Sequence, residues 1–314
     1  NRGSSPNRAL PYTQTSNHMR TAVRHGEHVM GEPVNSSLEA LQRLSAELES
    51  GDIVFPTSID VSLRIRQALE NPDINVNEVC RLVGAEPVLS AKALRLANSV
   101  AYNRSGNEIT DVRTAVNRVG TEPIRMLTMS LIVRQMVDAR ADERLRVLTH
   151  DLWRHTIHVS ALSYVIARRL SRLNADTAMF AGLVHEIGQF YLLARASAFP
   201  ALLQREAELG GLMYSFSQSV GRAVLESLKV PEQVISAVDA PSFEGAVVPP
   251  RSLGDVLFLA ESMAAFPNPF TTLSPEEDGL LADAATSDID NETLEAVVAE
   301  SKEEIDSIIA TLQI

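Results

Sequence analysis

Two stretches of the chain carry side chains suited to hydrolytic metal chemistry. In Phe180-Ala-Gly-Leu-Val-His185-Glu186-Ile-Gly188 an imidazole and a carboxylate are neighbours, within an apolar run that predicts one buried helix ending at the glycine. In Leu152-Trp153-Arg154-His155-Thr-Ile-His158 further imidazoles follow one another at helical spacing. Imidazoles and a carboxylate delivered from separate helices make a donor set that can hold a divalent ion and activate water for phosphoester hydrolysis. The competing reading is structural: two buried imidazoles, His155 and His185, satisfied by hydrogen bonds to Glu186 or to backbone.

The elements that must position these groups are helices. Leu145, Leu148, Leu152, His155, Val159, Leu162, Ile166 and Leu170 step by three or four residues, so His155 lies on a core-facing stripe and His158 beside it. His158 is therefore expected at the surface, and Trp153 is expected to anchor the two halves of the molecule. Asn174 predicts the cap of the helix that carries His185. Upstream, Ser36 with Glu39, Asn75 with Glu78, Glu86-Pro87, Asp111 and Thr121 mark helix starts, and Gly51, Gly84, Gly120 and Asn98-Ser99 mark helix ends. The run Met126 to Val137 is apolar on nearly every side and predicts a buried helix. Downstream, helices are expected at about 189–198, 200–209, 215–228, 231–239 and 252–265. Pro267-Asn-Pro269 reads as a break, after which Leu294, Val298, Ile305, Ile308 and Leu312 form the stripe of an amphipathic, acidic C-terminal helix. That stripe is expected to pack on the body. No alternating strand pattern of useful length occurs, and the expected class is all-α.

Composition narrows the function. The net charge of −12 is concentrated at the end, where residues 271–314 hold twelve acids against Lys302 alone. An acidic tail on a nearly neutral body lacks the basic footprint that nucleic acid requires. Eight arginines fall within 134–172, but acids interleave with them, and a solvated helix surface is expected there. Cys80 is the only cysteine, which excludes an internal disulfide and a multi-cysteine zinc site and suits a reducing cytoplasm. No apolar run is long enough for a membrane helix. Residues 1–35 show no period and predict a flexible arm.

Read together, these stretches resemble the HDOD family (HD-related output domain), over about residues 52–265. Glu86-Pro87-Val-Leu-Ser-Ala-Lys-Ala-Leu-Arg-Leu-Ala-Asn98-Ser99 is similar to one family run, and Asp111-Val-x-x-Ala115-Val-x-x-Val-Gly120 to another. Leu152-Trp153-x-His155, Ala181-Gly-Leu-Val-His185-Glu186-Ile-Gly188, Gly221-Arg-Ala-Val-Leu-x6-Pro231 and Leu257-Phe-Leu-Ala260-Glu261 resemble the HD-like part. The resemblance implies that the metal ligands of catalytic HD phosphohydrolases correspond to His155, His185, Glu186 and Glu261. Glutamate stands at both positions where the catalytic pattern has aspartate. The histidine pair that many members carry falls on Pro241-Ser242.

The resemblance divides the chain into an arm (1–35), an N-terminal helical subdomain (36–140), an HD-like subdomain (141–266) and an acidic helical extension (267–314). A glutamate places its oxygens more than ~1 Å from where an aspartate would, against a ligand tolerance of about 0.2 Å. The expectation is thus a degenerate site with no catalytic residue and no cofactor. The alternative is an HD-type phosphohydrolase or phosphodiesterase using Fe, Mn or Zn. The resemblance further implies a cytoplasmic bacterial signal-transduction protein, partnered by signalling proteins such as those with receiver, GGDEF or EAL domains, with self-association an open alternative. Trp153, Arg154, His158, Asn98 and Ser99 are the candidate cleft or interaction residues; Arg154 and Arg168 are candidates for a basic pocket.

Overall fold

A computed structural model describes residues 53, 55, 59–136, 143–196, 206–239, 249–271 and 291–313. Among the described residues there is no strand, and the fold is all-α as expected. The N-terminal arm, the helix expected from Ser36 and the Pro241-Ser242 pair lie outside them.

The first group comprises α1 (Asp60–Leu69), α2 (Val76–Ala85), α3 (Pro87–Asn98), α4 (Val112–Val119) and α5 (Thr121–Met136); α1, α3 and α4 pack on α5, and α2 packs on α3 and α4. Their starts follow the sequence. Asn75 and Asp111 each accept the amide three residues on, at 3.0 Å from Glu78 and 2.8 Å from Thr114. Glu86 accepts from the Leu89 amide ahead of Pro87. Gly120, at φ +87°, closes α4 in a conformation that L side chains rarely adopt. Thr121, expected to cap α5, is instead its first residue, and α5 is buried on most sides as its apolar run requires.

The second group is built on the long α6 (Glu143–Leu170), against which α7 (Ala175–Val184), α8 (Ile187–Ala196) and α11 (Leu253–Ser262) pack. Helix α9 (Glu206–Ser227) lies on α8, and α10 (Glu232–Asp239) joins α7 to α11. Two elements depart from the sequence reading. The central helix does not run to Gly188; it ends at Val184, turns through His185-Glu186, and α8 begins at Ile187. Gly188 is there for contact, since a Cβ would fall 1.9 Å from the Ser217 carbonyl oxygen of α9. In turn α9 runs unbroken through Gly210-Gly211, where two separate helices were expected; packing on α8 outweighs the ~1 kcal/mol propensity cost of each glycine.

The C-terminal stripe forms two helices, α12 (Asn291–Glu300) and α13 (Lys302–Leu312), parted at Ser301. Leu294, Ile305, Ile308 and Leu312 are buried. Helix α13 docks on both α3 and α6, so the acidic extension spans the two groups. At its far end the buried Lys92 ammonium donates to the Leu312 carbonyl at 2.9 Å.

Candidate metal centre

The position of His155 follows from its stripe: flanked by the buried Leu152, Val159 and Leu162, it is 1% exposed. Helix α7 crosses α6 closely enough that a Cβ on Gly182 would lie 2.7 Å from the Ser160 Cα. That approach, together with the turn after Val184, carries His185 to His155. The two Nε2 atoms are 3.3 Å apart. Glu261, from the last turn of α11, places Oε1 3.2 Å from His155 Nε2 and Oε2 3.4 Å from His185 Nε2. Glu186 Oε1 lies 3.8 Å from His185 Nε2. Donor atoms of all four residues fall within 4.8 Å of one another.

The backbone fixes which nitrogen of each ring carries hydrogen. His155 Nδ1 is 2.8 Å from the Phe266 carbonyl, and His185 Nδ1 is 2.8 Å from the Gly182 carbonyl. A carbonyl only accepts, so both Nδ1 atoms must be N–H donors. Each neutral ring then turns the Nε2 lone pair toward the other ring and toward two carboxylates. Such a constellation is repulsive without a positive charge at its centre. It is the arrangement in which an outer hydrogen bond fixes the tautomer of a ligating histidine, and the donor set fits a divalent ion.

Without an ion, protons fill the same need. Burial pushes His185 toward neutrality, but the Glu261 and Glu186 carboxylates outweigh it and raise it to about 9. Burial raises Glu261 too, yet the two imidazoles hold it well below the usual carboxylate range. Glu186 is raised, mainly by burial, with the His185 charge opposing and the Glu261 charge adding.

A strap closes this centre. After α11 the chain folds back over it, and Asn268, almost fully buried, donates from its amide to Glu186 Oε1 at 2.7 Å while accepting from the Phe270 N–H at 2.9 Å. The Ala265 N–H donates to His158 Nδ1 at 3.1 Å, and the Arg154 guanidinium lies 4.0 Å from the centre of the Phe266 ring. Pro267-Asn-Pro269 is thus part of the site, not a departure from it. Asn268 and the Phe266 carbonyl were missed by sequence reasoning. The available signal was a polar residue held between two prolines, whose fixed φ angles preset such a turn.

The remaining candidates divide. His158 is half-buried, against the Phe266 ring, and is outside the donor cluster. Trp153 is buried in an edge-to-face contact with Phe190 of α8, with the Arg134 guanidinium of α5 5.8 Å from its ring centre, and so joins the two groups. Asn98 clamps the following loop, donating to the Ile109 carbonyl at 2.7 Å and accepting the Ile109 N–H at 2.8 Å, while Ser99 donates to the Leu96 carbonyl. Of the arginines expected as a solvated face, Arg134 and Arg154 cover aromatic rings, and Arg168 and Arg169 both reach Glu304 of α13.

No helix among the described residues is long and apolar enough to cross a membrane. The family model for the HDOD domain matches residues 55–241. An uncharacterized protein of Treponema pallidum (strain Nichols) is 25% identical over 193 residues, 56% of this chain; the chain spans only 35% of that relative's length. Among solved structures, a suspected metal-dependent phosphohydrolase from Shewanella amazonensis SB2B is 24% identical, with 88% of this chain and 99% of that one covered at a TM-score of 0.62. An HDOD domain protein of unknown function from Geobacter sulfurreducens is 22% identical, with 89% and 99% covered at a TM-score of 0.54. A suspected signal transduction protein from Marinobacter aquaeolei VT8 is 17% identical, with 90% and 66% covered at a TM-score of 0.53. These likenesses to solved structures establish the shared fold.

Proposed function

The chain belongs to the HDOD family, and from that premise we propose that it is a regulatory protein working through contact with other signalling proteins, whose inherited metal centre is kept for architecture rather than turnover. The observation that carries this reading is the Asn268 amide on Glu186. A hydrolytic centre needs an open coordination position and a carboxylate free to orient water. Here one oxygen of the Glu186 carboxylate is held by Asn268, and the strap bearing Asn268 is tied down over the centre on His155, His158 and Arg154.

His155 Nε2, His185 Nε2, Glu186 and Glu261 would hold a divalent ion such as Fe, Mn or Zn. When bound, the ion supplies the positive charge that the facing lone pairs require. The residues of the chain do the rest: the Phe266 and Gly182 carbonyls orient the rings, Asn268 orients Glu186, and the strap limits water. The ligands come from α6, the α7–α8 turn and α11, so occupancy stiffens the packing of the surface that a partner meets.

A second reading has one specific observation in its favour. Glu261 is 38% exposed although its Oε2 is buried, so one ligand residue borders solvent on the side from which a phosphoester would approach if the centre turned over. Metal content and hydrolysis of bis(p-nitrophenyl) phosphate, measured on the wild type and His185→Ala, separate the two. The regulatory reading expects metal in the wild type, its loss in the variant, and background hydrolysis in both. Metal-dependent turnover abolished by His185→Ala overturns it in favour of a phosphohydrolase.

A further inference from the structure

Far from the metal centre, the end of α6 forms a second ionic constellation. Arg168 and Arg169, with Arg104 from the loop after α3, border a surface cleft of about 530 Å³ whose other wall is Glu304 of α13. Thirteen residues separate Arg168 from His155 on α6, or roughly 20 Å at the helical rise. Glu304 is 5% exposed and, among the described residues, is the only acid lining the cleft, so three guanidiniums face one carboxylate. Arg168 takes the close contact with Glu304 and also donates to the Tyr164 hydroxyl at 3.3 Å. Arg169 reaches the second carboxylate oxygen only at 3.5 Å, too long for a strong bond. Arg104 makes no hydrogen bond or ion pair among the described residues.

We propose that this cleft is a binding site for the phosphoryl group of a small phosphorylated molecule, and that Glu304 is its internal occupant, displaced when the ligand binds. A phosphate offers more oxygens and more negative charge than one carboxylate, and guanidinium forks match phosphate oxygens pairwise. It can therefore satisfy Arg104 and Arg169 in a way that Glu304 does not. The volume is in the range of small-molecule sites, roughly 300–1,000 Å³. A chain of charge −12 repels anions as a whole, so three arginines gathered at one cleft need a local use. Displacement has a built-in consequence, because Glu304 sits in the first turn of the helix that bridges α3 and α6. Ligand in the cleft loosens α13 and changes the surface offered to a partner. The site stands independently of the metal reading.

The test is calorimetric titration of the full chain with inorganic pyrophosphate, on the wild type, Glu304→Gln and Arg104→Ala. Freeing the cleft is expected to tighten binding about tenfold in Glu304→Gln, and Arg104→Ala is expected to weaken it about tenfold. Arg104 is exposed and far from the core, so that variant is expected to fold normally. Hydrogen exchange of residues 301–313 should rise when pyrophosphate is added to the wild type. Affinity unchanged by Arg104→Ala, no gain in Glu304→Gln, or unaltered exchange in α13 would overturn the proposal.

Discussion

Helix α6 carries two ionic constellations built on opposite principles. At its middle, His155 faces His185, Glu186 and Glu261, and the chain brings together lone pairs and carboxylates that need a cation or bound protons between them. At its end, Arg168 and Arg169 meet Glu304, and the charges are already opposite. Backbone carbonyls and a buried strap build the first, so its geometry is fixed before anything binds. Side chains build the second, one of them on a helix added at the C-terminus, so its occupant can be exchanged. A preset site suits a resident ion; a site with a removable side chain suits a signal.

The largest expected effect breaks the rigid side of the contrast. Gly188 lies two residues beyond Glu186, and a Cβ there meets the Ser217 carbonyl at 1.9 Å and the Gly221 nitrogen at 2.8 Å. Both are backbone atoms and cannot rotate away. Gly188→Ala should destabilise by about 3 kcal/mol or more, read as a lowered urea midpoint. A variant as stable as the wild type would show that the turn holding His185 and Glu186 can shift, and that the metal centre is not preset.

The next effect concerns how firmly α13 is held. Lys92 is wholly buried, and burial, helped by the Arg134 and Arg95 charges, lowers it to about 8. Its value in the unfolded chain is near ~10.4. Between these values the unfolded state holds a proton that the folded state has shed, so stability rises with pH from about 8 to about 10 and is flat below. The gain is on the order of 2 kcal/mol after allowing for relaxation around the buried amine. Subtracting the urea-derived pH profile of Lys92→Met isolates it. If the two profiles are parallel across this window, Lys92 is not buried as a charge beneath α13.

Much of this was legible in the sequence, because it depended on local rules. The caps at Asn75, Asp111 and Asn174, the stop at Gly120 and the stripe that buries His155 are short-range patterns that tertiary structure had no reason to override. The turn after Val184 was not legible. Phe180 to Gly188 is uniformly helix-compatible, and only contact between Gly188 and α9, a segment thirty residues away in sequence, explains the interruption. Asn268 was missed for the same reason: two prolines announce a turn but not what it folds over. The arginines of α6 looked like a solvated face because their partners, Phe266 and Glu304, are more than a hundred residues away.

Asn268→Ala sharpens the contrast at intermediate cost. Removing the amide strands Glu186 Oε1 and the Phe270 N–H in a buried setting, for about 1–2 kcal/mol. Where a metal is bound, loss of this outer hydrogen bond should also weaken affinity about 10- to 100-fold, measured by chelator competition. Unchanged affinity would mean that Glu186 is not oriented by the strap.

The smallest effect is the most diagnostic for the cleft. Arg169 is 47% exposed and holds Glu304 at 3.5 Å, so Arg169→Ala should cost about 0–1 kcal/mol, the range of solvent-screened pairs. Arg168 is less exposed and makes the close contact, so Arg168→Ala should cost more, because it leaves the buried Glu304 carboxylate with a single distant partner. Urea melts of the two variants give the ratio. A large loss from Arg169→Ala would place the cleft beside the metal centre as fixed architecture and end the contrast between them. A small loss, with Arg168→Ala the costlier change, keeps Glu304 an occupant held chiefly by one arginine. That is the condition under which a competing phosphoryl group can remove it.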